Sequence, residues 1–218
     1  MLFSSCKRNE NFDTKTSVVF GLDVSQYQGN INWKKVATQK KHPIQFVVVR
    51  ATMGADRRDK QFEKNFFQAK KNGFLVGSYH YYDPNENSTL QAKNFLDNVR
   101  LQTGDLIPVL DIEEESEIQS MEDLKKGIKN WLDIIEEKYG VKPIIYTGFS
   151  FWNDYLKKDF AEYPLWVAAY SQDKRNHSHV KNAEIHQFSD KIKVPGIMEN
   201  TVDGNDIKKE VLPSLILR

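Results

Sequence analysis

Two carboxylates separated by a single residue, Asp111 and Glu113, interrupt an otherwise apolar run, I-P-V-L-D-I-E-E-E-S-E at 107–117. Successive side chains on a strand point to opposite faces. Val109, Asp111 and Glu113 therefore project one way, Leu110 and Ile112 the other. Two strand rises separate the acids by roughly 6–7 Å at the backbone. Side-chain freedom brings their oxygens closer, into the range where a carboxyl pair flanks one glycosidic linkage and divides acid, base or nucleophile work. Burying charge without a partner is costly, so acids at the end of an apolar strand need a reason. The plain alternative is that the strand ends there and 113–117 is a solvated acidic turn.

Other residues of the same chemistry recur at comparable places. Asp23 lies near the end of V-V-F-G-L-D-V (18–24), and Asp203 stands near the last strand expected. Aromatic residues gather with them: Tyr79, Tyr81 and Tyr82 in L-V-G-S-Y-H-Y-Y (75–82), Tyr146, Trp166 and Tyr170. Any one of these alone reads as core. Beside carboxylates the set suits a sugar, whose CH faces stack on rings while its hydroxyls bond to acids. Trp166, Ala168 and Tyr170 share a face by strand alternation.

Competing chemistries lack their residues. The five histidines are dispersed: His80 and His186 lie in strand-like runs as core residues, and His177 and His179 lie in a polar loop. No G-x-S-x-G elbow is present, nor a G-x-x-x-x-G-K or G-x-G-x-x-G phosphate cradle, so neither metal nor cofactor is expected. The formal net charge is +1, with lysine pairs scattered rather than clustered, which argues against a nucleic-acid protein. No apolar stretch has the length of a membrane span. Cys6 is the only cysteine, which rules out an intrachain disulfide. Its setting, M-L-F-S-S-C, resembles the end of a bacterial lipoprotein signal, so 1–17 reads as a polar tail with membrane contact only through a lipid anchor at Cys6. The alternative is an incidental cysteine in a disordered start.

The elements that would position these residues alternate. Strands are expected at 18–24, 46–51, 75–82, 107–112 and 143–147. Helices fall between them at 33–38, 59–72 capped by Asp59, from Asn87 or Ser88, and 120–139, where Ser120 caps and Gly140 stops. A short helix over 151–156 follows, then strands at 164–170, 184–188 and near Asp203 without a convincing helix between them. Alternation of this kind implies a parallel sheet with right-handed crossovers, and eight strand candidates allow a barrel over 18–218 as one domain. In such barrels the site sits at the C-terminal strand ends, where Asp23, Asp111 and Glu113 fall.

These residues carry a resemblance. G-L-D-V-S-Q-Y-Q-G at 21–29, N-W at 32–33, F-V-V-V-R-A-T at 46–52 and G-S-Y-H-Y at 77–81 are followed by D-I-E at 111–113 and I-Y-T at 145–147. L-W-V-A-A-Y at 165–170, Q-F-S-D at 187–190 and V-D-G-N at 202–205 complete the series. Together they are similar to the Chalaropsis-type lysozymes, family 25 of the glycoside hydrolases. The resemblance implies a flattened TIM-like (β/α)5(β)3 α/β barrel with about five helices. It also implies cleavage of the β-1,4 bond between N-acetylmuramic acid and N-acetylglucosamine in peptidoglycan; an enzyme acting outside the cytoplasm, as a monomer, is the expectation. The resemblance makes Glu113 the general acid/base, Asp111 the nucleophile or stabiliser, and Asp23 and Asp203 supporting acids. Tyr79, Tyr81, Tyr146, Trp166, Tyr170 and Gln187 are the candidate substrate-binding residues. One departure stands out: where many relatives have K-A-T-E-G, this chain has R-A-T-M-G at 50–54, so Met53 removes a carboxylate from that loop. The rival readings are a glycosidase of chitin-like chains and a non-catalytic glycan-binding module.

Overall fold

The computed structural model describes residues 17–40, 43–170, 182–197 and 201–218. Cys6, most of the N-terminal tail, and His177 and His179 lie outside them. The apolar runs fold as β1 (Val18–Val24), β2 (Phe46–Met53), β4 (Leu75–Tyr81), β5 (Val109–Asp111), β6 (Ile144–Gly148), β7 (Leu165–Ala168), β8 (Ile185–Ile192) and β9 (Val202–Lys208). A two-residue strand, β3 (Arg57–Arg58), folds back on the end of β2. The order is β1-β9-β8-β7-β6-β5-β4-β2, and β1 pairs with β2 to close eight strands into a barrel, with β3 as an extra edge.

From β1 through β8 the neighbours within the barrel run parallel, whereas β9 is antiparallel to both β8 and β1. The alternation in the sequence implies a parallel sheet and leaves the direction of the last strand open. Among the described residues no crossover helix stands between β8 and β9, and the connection from Ile192 to Val202 is short; only a crossover returns a chain in the same direction.

Alternation sorts the strand residues into two cores. Val19, Phe46, Val48, Val109, Ile144, Trp166, Ile185 and Ile207 fill the barrel, closed at its base by Leu106, Leu212 and Leu215. Leu22, Val47, Val49, Leu110, Ile112 and Ile145 face outward onto helices. Because both faces are covered, β2 opens on an unbroken apolar run, Phe46 to Val49. Gly21 marks the tightest approach inside: a Cβ there would sit 2.4 Å from the Phe46 ring.

The outer layer is α1 (Trp33–Val36), α2 (Phe62–Lys71), α3 (Ser88–Asn98) and α4 (Met121–Tyr139), followed by a helical run over Phe149–Phe151, Trp152–Leu156 and Lys157–Phe160 with a π turn at its centre. Asn87 caps α3 by accepting the Leu90 N–H, Ser120 caps α4, and Gly140 ends α4 with φ 69°. Asp59 does not cap α2, which starts at Phe62 after Gln61. Its carboxylate takes the Gln61 N–H on one oxygen, at 2.9 Å. The other oxygen accepts the Arg50 Nε at 3.0 Å and the Gln26 N–H at 2.8 Å. A charged partner inside the barrel mouth outcompetes a helix end for the same side chain. The expected strand from Ile107 is also shorter: Leu106 and Ile107 bond instead to Val76 O and Leu215 O. Among the described residues no helix is long and apolar enough to cross a membrane.

Candidate active site

Most strands bring an inward-facing polar residue to one mouth of the barrel. β1 supplies Asp23, β2 Arg50, β4 Tyr79 and Tyr81, β5 Asp111, β6 Tyr146 and β8 Gln187. Tyr81, Asp111, Tyr146 and Trp166 stand side by side in register across β4 to β7. Asp203 opens β9, directly across from Asp23. It reaches the mouth because β9 runs antiparallel, so its start rather than its end lies there. Glu113 follows β5 by two residues; the Ile112 N–H still bonds Tyr146 O at 3.0 Å, which holds the chain on course.

The four acids form two hydrogen-bonded pairs, Asp111 with Glu113 and Asp23 with Asp203. Asp111 is 6% exposed, and its Oδ1 has no hydrogen-bond partner among the described residues. Glu113 reaches the opening. Burial, then the charges of Glu113 and Asp23, push Asp111 well above the ordinary carboxylate range, with Arg50 opposing. Lost hydration and the charge of Asp23 also raise Glu113, against the hydrogen bond from Asp111. The pair thus keeps one proton between two close carboxyls. In the substrate-free cleft the deeper acid, Asp111, holds it more tightly. Asp203 is pushed up to about 8, by burial first and by Asp23 next.

Asp23 is 7% exposed, and one of its oxygens, Oδ2, accepts Gln187 Nε2 at 2.9 Å and Asn205 Nδ2 at 2.7 Å. Gln187 Oε1 in turn accepts the Tyr146 hydroxyl at 2.9 Å and the Tyr170 hydroxyl. Asn205 Oδ1 accepts the Trp166 indole N–H at 2.9 Å. Burial followed by the nearby acids raises the phenols of Tyr79, Tyr81 and Tyr146, which stay protonated.

The proposed aromatic face separates into two roles. Tyr170 is 52% exposed beyond the end of β7, whereas Trp166 is 2% exposed, edge-on to Tyr146 at 5.0 Å. Trp166 is a floor beneath the acids, with no face open to a sugar. Gln187, 1% exposed, faces Asp23 rather than the opening. Tyr82 points out of the barrel into the helical core. Tyr79 and Tyr81 line the mouth, and Met53, half-buried, stands in register with Tyr81. A shift in the β2–β4 register between Arg50 and Thr52 puts Met53 there.

Two participants were not singled out from the sequence. Asn205 is fully buried in V-D-G-N; its contact with Asp23 spans 182 positions. Arg50 is anchored on Asp59 with the Tyr27 ring 4.9 Å from its guanidinium carbon. The apolar neighbours of Arg50 in β2 offered the one hint, since a cation there must find an anion. Among the described residues no three His, Cys, Asp or Glu side chains are arranged to hold a metal.

Residues 22–197 match the model of the family described as glycosyl hydrolases family 25. The chain is 38% identical over 189 residues to the protein YegX of Escherichia coli K12, covering 86% of this chain and 68% of that one. It is 33% identical over 165 residues to lysozyme M1 of Streptomyces globisporus, covering 70% and 55%. Among solved structures, a family 25 glycosyl hydrolase from Bacillus anthracis superposes with a TM-score of 0.79 at 26% identity, over 97% of this chain and 98% of that one. A bacterial lysozyme from Streptomyces coelicolor gives 0.79 at 29%, over 92% and 98%.

Proposed function

The chain belongs to glycosyl hydrolase family 25, and from that premise we propose that it hydrolyses the glycan strands of peptidoglycan, outside the cytoplasm, at the β-1,4 bond between N-acetylmuramic acid and N-acetylglucosamine. The observation that carries this reading is the Asp111–Glu113 pair: two carboxyls in mutual hydrogen bond, one buried with an unsatisfied oxygen, the other at the opening.

In this reading Glu113 is the acid that meets the glycosidic oxygen. The proton of the pair passes to that oxygen through Glu113 as the bond to the sugar carbon breaks, and the Asp111–Glu113 hydrogen bond makes the transfer a single short step. The positive charge developing at the sugar carbon faces Asp111, which becomes an anion as the proton leaves. Asp111 then either bonds to that carbon or orients the N-acetyl group of the substrate to do so. Glu113, now the base, takes a proton from water, which attacks the same carbon from the side the leaving group vacated. Two displacements retain the configuration. Asp23 stays charged beside the pair, Tyr79, Tyr81 and Tyr170 line the approach, and Asp203 supports Asp23. A lipid anchor at Cys6 would hold such a hydrolase at a membrane facing the wall.

Turbidity of purified cell walls tests the reading. The native enzyme should clear them, and folded Glu113→Gln should be slower by about 100-fold or more, the usual contribution of a general acid. Clearing by Glu113→Gln at the native rate would remove Glu113 from the reaction.

A further inference from the structure

Both amide partners of Asp23 are pinned from behind by groups that give a hydrogen. An indole N–H can only donate. Trp166 donates to Asn205 Oδ1, so the Asn205 amide has one possible orientation, with its Nδ2 donating to Asp23 Oδ2. From β8, Gln187 repeats the arrangement: its Oε1 takes two phenol hydroxyls and its Nε2 donates to the same Asp23 oxygen. Asn205, Gln187 and Trp166 are 0%, 1% and 2% exposed, which leaves solvent little chance to reorient them. Asp23 Oδ2 accepts both N–H groups and so carries no proton itself, and two donated hydrogens favour the ionised carboxyl over one protonated on Oδ1.

We propose that Asn205 is a positioning residue: the one-way chain from Trp166 through Asn205 to Asp23 fixes the negative charge on Asp23 and leaves the proton of that pair on Asp203. The inference rests on the glycosidase reading and gives Asp23 a defined part in it. A standing anion beside Glu113 strengthens Glu113's hold on the proton it must deliver. Burial raises Asp23 too, opposed by its hydrogen bonds with Asn205, Gln187 and Asp203. The raised proton affinities of Asp203 and Glu113, each with Asp23 among its causes, agree with Asp23 as the anion of its pair.

The charged and titratable groups around Asp23 come from every side of the barrel. They are Asp203 on β9, Asp111 and Glu113 at β5, Tyr79 on β4, Tyr146 on β6 and Tyr170 after β7, with Arg50 on β2 acting on Asp111 and Tyr79, and Asp190 on β8 acting on Asp203. Arg50 is the sole cation in that set, and its carboxylate partner is Asp59. The two amides are therefore what distinguishes Asp23 from the acids around it.

Asn205→Leu keeps the approximate size and removes the donor; Trp166→Phe keeps the ring and removes the group that orients the amide. Carbon NMR titration of the side-chain carboxyls in the whole unligated protein reads the assignment without depending on activity. In the native protein Asp23 should ionise at lower pH than Asp203. In Asn205→Leu, Asp23 should ionise at higher pH, and in Trp166→Phe the same shift should be smaller. On cell walls the alkaline limb of the Asn205→Leu profile should move to lower pH, because Glu113 loses a neighbouring anion. On that limb kcat should fall about tenfold with KM within about twofold. A folded Asn205→Leu with unchanged Asp23 titration and an unmoved alkaline limb would overturn the inference; should that variant not fold, Trp166→Phe decides on the same titration. Absence of wall cleavage by the native enzyme would instead sink the glycosidase reading, and the carboxyl titration would still decide between Asp23 and Asp203.

Discussion

At the scale of single residues, exposure separates two aromatics that strand alternation had grouped. Tyr170 stands half in solvent with its hydroxyl on Gln187, whereas Trp166 is sealed in the barrel with its indole N–H satisfied. Tyr170→Ala should therefore slow wall cleavage while lowering stability by less than about 1 kcal/mol. Trp166→Ala should cost about 3–5 kcal/mol, as core aromatic truncations do. Urea midpoints of the two variants check this, and similar losses would put Tyr170 in the core. The division of labour between Asp111 and Glu113 has its own readout. Proton NMR of the first product formed should show the β-anomer; an initial α-anomer would mean that water is activated directly, with inversion. The acids themselves were legible in the sequence because charge in an apolar run is conspicuous. Asn205 was not, since an amide two residues from an acid in a short polar segment looks like any turn residue until β9 is laid against β1.

At the scale of elements, the register shift that sets Met53 at the mouth is backed by a buried histidine. His80 Nδ1 meets Thr52 Oγ1 at 2.8 Å and its Nε2 meets Gln91 Oε1 at 3.1 Å, while Trp131 of α4 stacks on its ring. Gln91 Oε1 also accepts the Asp83 N–H, and Gln91 Nε2 donates to Asp83 O and Glu86 O. That oxygen is thus an acceptor, and the His80 proton sits on Nε2. Burial lowers His80 from its ordinary 6.5 to about 4. The unfolded chain binds the extra proton first, so the contribution of neutral His80 is fully present above pH 6.5 and is lost as pH falls toward 4. Up to about 3 kcal/mol rides on that window. The cleft acids act the other way, because their raised proton affinities favour the folded state at mildly acid pH. Comparison with His80→Asn isolates the histidine: its urea midpoints should fall less than the native ones between pH 6.5 and 4. Parallel slopes would show that His80 is not the titrating group. The strand character of 75–82 and the core place of His80 were readable from the sequence. The register shift was not, because it depends on how β2 meets β4.

At the scale of the whole molecule, the barrel turns scattered strand ends into one acidic mouth. Alternation of strands and helices was enough to anticipate closure. The direction of β9 was not anticipated, yet it decides that Asp203 faces Asp23, since a parallel β9 would carry Asp203 to the opposite end. Likewise Asp59 reads as a helix cap until the fold brings Arg50 within reach. These misses share a cause: each depends on a partner far away in sequence. The central claim is that this mouth cuts muramic acid linkages, and parallel digestion of purified walls and chitin with identification of the new reducing ends tests it most directly. The account predicts N-acetylmuramic acid at the new reducing ends from walls and little release from chitin. New ends made of N-acetylglucosamine, or chitin cut as readily as walls, would contradict it.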